Sequence, residues 1–197
     1  MEERKAKVKR KTKETDIELM LNLDGSGQAS ADTGIPFMDH MISLMAAHGF
    51  MDIQITARGD TEIDDHHTVE DLGICFGKAF RQALGDKTGI KRYGQAIIPM
   101  DEALAMVAVD ISNRPFIAYR VDFGSPKTGN FDAGLIGEFF RALVNGAGMT
   151  LHVKLFAGTN THHIIESIFK AFGRAVDQAV TLENRLGSSV PSTKGVL

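Results

Sequence analysis

The chain has one cysteine, no apolar run long enough to cross a bilayer and no surplus of either charge, and each lack closes off a class of function. A single thiol, Cys75, excludes an intrachain disulfide framework. It lies in the apolar run Gly73, Ile74, Phe76, which predicts an inert buried thiol rather than a nucleophile. The lack of disulfide chemistry fits a reducing, cytoplasmic setting. Lysine and arginine number 22 against 25 aspartates and glutamates, a formal charge of −3, so no general attraction to nucleic acid is expected. The start is locally basic (Arg4, Lys5, Lys7, Lys9, Arg10, Lys11, Lys13), but no apolar core of a signal peptide follows it, and no membrane span is expected. The lysines alternate, and Ile17, Leu19 and Leu21 come at once after them. This reads as a solvated strand face rather than a nuclear-import or nucleic-acid tag.

What is present is an ordinary globular composition, 43% hydrophobic and 24% charged over 197 residues, enough for one sizeable core or two small fused halves. The sequence contains itself twice. His66-His67-Thr68-Val69-Glu70 recurs as His162-His163-Ile164-Ile165-Glu166, a shift of 162 − 66 = 96 residues. The same shift carries Phe76 to Phe172, Gly77 to Gly173, Lys78 to Arg174, Ala79 to Ala175, Gln82 to Gln178 and Ala83 to Ala179. Periodicity predicts strands near 4–11 and 16–23, a turn region from Gly25 to Gly34, a helix near 37–48 entered through Pro36, a strand over 51–57 and a long helix after His66. The second half reads as strands near 94–100, 103–111 and 116–122, a helix near 133–145, a strand near 149–156 and a helix after His162. The expected class is α+β: an internally duplicated half-domain, each half a mostly antiparallel sheet with helices on one face. Residues 1–90 form the first half, 91–186 the second and 187–197 a tail, within one compact domain.

Each His-His-x-x-Glu begins a predicted helix. There the first and fifth residues share a face, while the second lies about 100° around. His66 and Glu70 are thus placed to grip one ion and His162 with Glu166 a second, and each stray histidine is free to complete the opposite site. Symmetry expects one ion on His66, Glu70 and His163, and another on His162, Glu166 and His67. His40, in the first helix, is a further ligand for the His162 ion, and His152, on a strand and facing away from its apolar neighbours, for the His66 ion. A histidine at a helix start can simply cap backbone groups, but six of the chain's seven histidines fall in these places. Each glutamate also offsets the repulsion between a cation and the helix dipole. Imidazole with carboxylate suits manganese, iron, cobalt, nickel or zinc. The spacing is not the His-Glu-x-x-His of metalloproteases. Positions left open for substrate would mark catalysis rather than structure.

These residues resemble those of imidazoleglycerol-phosphate dehydratases. The similarity runs through Arg10-Lys11-Thr12-Lys13-Glu14-Thr15, Gly34-Ile35-Pro36-Phe37-Met38-Asp39-His40-Met41, Asp64-Asp65-His66-His67-Thr68-Val69-Glu70-Asp71, Pro99-Met100-Asp101-Glu102-Ala103, Asn160-Thr161-His162-His163-Ile164-Ile165-Glu166 and Pro191-Ser192-Thr193-Lys194-Gly195, nearly the whole chain. Asn113, before Arg114, stands where that family usually has glycine. The resemblance implies a fold like domain 2 of ribosomal protein S5 and dehydration of D-erythro-1-(imidazol-4-yl)glycerol 3-phosphate to 3-(imidazol-4-yl)-2-oxopropyl phosphate in histidine biosynthesis. It also implies two Mn2+ ions per subunit and a homo-oligomeric shell of two dozen chains, with active sites shared between neighbours. Chemically, an imidazole ring bound through both nitrogens to two ions can become imidazolate and expel the neighbouring hydroxyl.

By the same resemblance Glu14 is the acid/base group, with Glu70 and Glu166 at the reacting centre. His40 and His48 are expected to contact substrate, although His48 reads equally as a plain helix-end residue. Lys170, one turn after the second motif, is placed to face the site. Arg92, Arg114, Ser192 and Lys194 match the family's phosphate contacts. The Gly/Ser-rich tail from Gly187 to Gly195 is then expected to order on assembly or on substrate binding. Rival readings are a dinuclear metallohydrolase of a phosphorylated small molecule and a structural assembly protein stapled by metal. A small-molecule kinase of the S5-like fold is disfavoured because the chain lacks a glycine-rich phosphate loop.

Overall fold

Alternation in the first segment becomes a hairpin of β1 (Lys5–Lys11) and β2 (Thr15–Asn22), with Val8, Ile17, Leu19 and Leu21 buried and Lys5, Lys7, Lys9 and Lys11 exposed. The computed structural model describes residues 4–187, 189–195 and 197. The first half continues through β3 (Ala29–Asp32), α1 (Pro36–Gly49), β4 (Asp52–Gly59) and α2 (His66–Leu84). The second half runs β5 (Tyr93–Met100), β6 (Ala103–Asp110), β7 (Phe116–Arg120), the short ladder β8 (Lys127–Thr128) and β9 (Phe131–Asp132), α3 (Leu135–Ala147), β10 (Thr150–Ala157) and α4 (Thr161–Val180).

Two four-stranded sheets result, ordered β1-β2-β4-β3 and β5-β6-β10-β7. In each, the first two pairings are antiparallel and the last is parallel, so the halves repeat one topology. The class is α+β, as expected. The turn region from Gly25 to Gly34 needs correction, because β3 lies inside it and pairs in parallel with β4, from Ala29 opposite Ile53 to Asp32 opposite Thr56. Ala29-Ser30-Ala31-Asp32 carries no apolar alternation, so an edge pairing makes it a strand rather than any local pattern.

The helices interlock the halves. α2 lies on β1 and β2 and packs against α3 of the other half, while α4 lies on β5 and β6 and packs against α1. Two glycines related by the 96-residue shift sit at these crossings. A methyl group at Gly77 would run into the carbonyl oxygen of Leu143, and one at Gly173 would sit 2.6 Å from that of Met45. The shift also preserves the helix starts: Asp64 accepts the backbone N–H of His66 at 2.8 Å, and Asn160 that of His162 at 2.9 Å. Cys75 is fully buried, and burial pushes its thiol up to about 11, the inert thiol expected. Among the described residues no helix is long and apolar enough to cross a membrane.

Candidate metal centre

α1 opens at Pro36, with Thr33 donating from both its backbone N–H and its hydroxyl to Asp39, which fixes the first turn. The next residue, His40, faces α4. His40 Nε2 lies 2.9 Å from Glu166 Oε1, and His162 Nε2 lies 3.1 Å from the same oxygen. The donor atoms of His40, His162 and Glu166 all fall within 4.8 Å of one another. Glu166 is buried, and its second oxygen accepts from Lys170 Nζ at 2.6 Å. Burial pushes the Glu166 carboxyl up, but Lys170, His40 and His162 outweigh it and hold the group at about 2. Two imidazole nitrogens converging on one ionised, buried carboxylate are the donor set of a borderline divalent cation, so these residues fit a metal.

The first motif is more open. His66 Nε2 stands 3.9 Å from Glu70 Oε2, one helical turn away, with both side chains about half exposed. Among the described residues the stray histidines do not join the opposite motif of their own chain, and the spacing alone does not say which chain supplies each ligand. Among the described residues, His40, His162 and Glu166 are the one group of three donors that meets. His67 instead turns Nδ1 to Asp60 at 3.0 Å, and His163 turns Nδ1 to Glu102 at 2.8 Å. These bonds raise both imidazoles above their usual value, with the charge of Glu14 adding to the effect on His67. Each stray ring is held by a carboxylate of its own half. His152 is exposed on β10, opposite Ala108 of β6, with its ring 5.9 Å from that of Phe116. Five strand steps separate Ala108 from Ala103, roughly 17 Å at about 3.4 Å per residue. His163, anchored beside Ala103 by Glu102, therefore shares no ion with His152 of its own chain.

Glu14 is exposed at the tip of the β1–β2 hairpin, where the Thr12 hydroxyl accepts its backbone N–H at 3.0 Å. The hairpin is pinned to α2 from beneath: Asp71, buried next to Glu70, accepts the Thr15 hydroxyl at 2.5 Å and pairs with Arg10 at 2.9 Å. His48 is half-buried toward the end of α1. Burial first, then the charges of Lys170 and Arg174, lowers its affinity for a proton. The sequence assigned no role to Asp60, Glu102 or the Arg10–Asp71–Thr15 network. Glu102 sits in one of the segments that carry the resemblance, but nothing periodic ties it to a histidine 61 residues away.

The phosphate-contact candidates lie elsewhere. Arg92 is buried and bonds Asp110 through Nε at 2.6 Å, and Arg114 lies 3.5 Å from the same carboxylate. The tail joins them, since Arg92 donates to the Pro191 carbonyl at 2.9 Å and the Ser192 hydroxyl accepts the backbone N–H of exposed Lys194 at 3.2 Å. Arg92 N also donates to Ala179 O at 2.9 Å. From Glu166 to Ala179 is thirteen residues of α4, about 20 Å at ~1.5 Å per residue. From Ala103 to Asp110 is seven steps of β6, about 24 Å at ~3.4 Å per residue. Within one chain, the Arg92–Asp110 pair and the cluster of His40, His162 and Glu166 lie toward opposite ends of the second half, with His152 toward the arginine end. Asn113 has φ of 57°, the left-handed region, which explains why glycine suits that position and why asparagine is tolerated. A groove of about 700 Å³ on the first sheet, lined by Lys5, Lys7, Met20 and Gln54 among others, holds none of the motif histidines.

Comparison with known proteins gives a consistent result. The family model described as imidazoleglycerol-phosphate dehydratase matches residues 33–176. The chain is 56% identical over 194 residues to the imidazoleglycerol-phosphate dehydratase of Bacillus subtilis (strain 168), covering 98% of this chain and all of that one. It is similar to the crystal structure of the same enzyme from Staphylococcus aureus subsp. aureus N315, with a TM-score of 0.83 and 40% identity, covering 91% of this chain and 99% of that one. The structure of the Pyrococcus furiosus protein in complex with (S)-C348 gives a TM-score of 0.84 at 38% identity, covering 96% of this chain and all of the other.

Proposed function

The chain belongs to the imidazoleglycerol-phosphate dehydratase family, lyases of the dehydration step in histidine biosynthesis, and from that premise we propose a metal-dependent reaction at a site shared between chains. The substrate is D-erythro-1-(imidazol-4-yl)glycerol 3-phosphate and the product 3-(imidazol-4-yl)-2-oxopropyl phosphate. The observation that carries this reading is the convergence of His40 and His162 on the buried carboxylate of Glu166. His40, His162 and Glu166 would hold one Mn2+, and His66 and Glu70 the other. His67, His163 and His152 complete the two sites from neighbouring chains, because in one chain they stand apart from those partners.

Divalent cations held there would supply Lewis acidity to the substrate's imidazole, and other divalent transition metals could serve. The chain's own groups do the rest. Lys170 keeps Glu166 ionised and so competent to hold a cation. Glu14, exposed beside His67, takes the proton from the carbon bearing the middle hydroxyl as the C–O bond next to the ring breaks, and passes that proton to the departing hydroxyl, which leaves as water. The resulting enol becomes the ketone. His48 is placed beside Lys170 for a substrate hydroxyl. Arg92, Arg114, Ser192 and Lys194 take the phosphate. Since such a substrate is only on the order of 10 Å long with ~1.5 Å bonds, its phosphate and its ring must be gripped by different chains. Tyr93, Ile97, Phe116 and Phe156, large apolar residues left exposed by the second sheet, support a homo-oligomer, and the two-dozen-chain shell belongs to this proposal. A cytoplasmic enzyme acting on this small molecule, with neither nucleic acid nor membrane as partner, completes the reading.

The test is turnover of imidazoleglycerol phosphate, followed by ketone formation. Activity should vanish after chelation and return with Mn2+. Full activity in exhaustively chelated protein would refute the metal-dependent reaction.

A further inference from the structure

His67 and His163 turn away from the glutamates of their own motifs, and each ring is met by a carboxylate outside the motif. Asp60, directly after β4, lies 3.0 Å from Nδ1 of His67, and Glu102, directly before β6, lies 2.8 Å from Nδ1 of His163. An ionised carboxylate offers lone pairs and no hydrogen, so in each neutral ring Nδ1 carries the proton and Nε2 keeps a free lone pair. Glu102 is itself held in place. Its other oxygen accepts the backbone N–H of Asn160 at 2.8 Å and of Thr159 at 3.2 Å, the residues that lead into α4. One side chain thus ties together the β5–β6 turn, the entry to α4 and the His163 ring.

We propose that Asp60 and Glu102 are positioning residues that fix His67 and His163 as Nδ1-protonated rings and so present Nε2 of each as a ligand for a divalent cation. This rests on the metal-dependent reading of the site. A ligand ring whose second nitrogen is held by a carboxylate is set in orientation and tautomer before the ion arrives.

The duplication gives the pair a further meaning. Glu14 and Glu102 occupy corresponding places, each the last residue before the second strand of its half's first hairpin, which begins at Thr15 in one half and at Ala103 in the other. In the second half the hairpin glutamate holds the stray histidine. In the first half Asp60 does so, and among the described residues the Glu14 carboxylate bonds no ring, although its charge is felt at His67. Two identical halves would have both hairpin glutamates engaged. Moving one holding role to Asp60 leaves Glu14 free to transfer a proton.

The experiment is a Mn2+ titration of the metal-stripped, assembled protein, reading free Mn2+ by electron paramagnetic resonance. Glu102→Ala and Asp60→Ala should each weaken binding by about 10–100-fold. Glu102→Gln and Asp60→Asn retain an amide oxygen that accepts Nδ1–H, and should recover binding to within a few-fold of the parent protein. Metal-free melting temperatures report any merely structural effect. Alanine variants that titrate like the parent would overturn the assignment. So would equal losses in the alanine and amide variants that track a fall in melting temperature. A parent protein that takes up no Mn2+ would sink the metal-dependent reading itself, whereas normal uptake with unaffected alanine variants would sink only the role of these two carboxylates.

Discussion

Glu166 shows how a buried acid stays charged. Its burial alone would favour the neutral form, yet Lys170 and two histidines hold it at about 2, against 4.5 for the free carboxyl. A depressed value means that the folded chain binds this proton less readily than the unfolded one. The stability it contributes is therefore complete above 4.5 and is lost as pH falls toward 2. Lys170→Met removes the strongest of the groups that lower it, so the acid limb of metal-free unfolding should move to higher pH. Coincident acid limbs for variant and parent, followed by circular dichroism, would count against the pairing. The twin motif could be read from the sequence because helix geometry fixes residues four apart. Asp60 and Glu102 could not, since the turns that bring them to His67 and His163 follow no period. Asn113 was visible only as a departure from the family's usual glycine, and its left-handed backbone supplies the reason.

Elements show the same division. Strands with alternating apolar residues, such as Ile17, Leu19 and Leu21, and helices with a continuous apolar stripe appear within a few residues of where periodicity puts them. β3, with no such pattern, exists because β4 offers it an edge. The glycines repeated at the 96-residue shift have a packing cause, since each admits the backbone of a helix from the opposite half. Gly77→Ala and Gly173→Ala gain up to ~1 kcal/mol of helix propensity. A methyl forced against backbone rather than a flexible side chain costs about 1–3 kcal/mol. The second effect wins. Both variants should melt lower than the parent by several degrees, and an unchanged or raised melting temperature would contradict the close crossing.

At the scale of the whole molecule, what matters is distance. The duplication was plain in the sequence, and so was the suggestion that each half lends a histidine to the other. One chain does not carry out that exchange, because its stray rings are held at home, and the backbone of Arg92 meets α4 at Ala179, about 20 Å along the helix from Glu166. Only the three-dimensional path of α4 and β6 could show this, for a linear pattern holds no ruler between elements. The proposed reaction therefore calls for a second copy of the chain at each site. The most direct test is subunit complementation with imidazoleglycerol phosphate as substrate. Arg92→Ala and Glu166→Ala should each be inactive alone, and reassembling an equal mixture should restore about a quarter of the parent activity by random pairing of chains. A mixture as inactive as its components would contradict a site shared between chains.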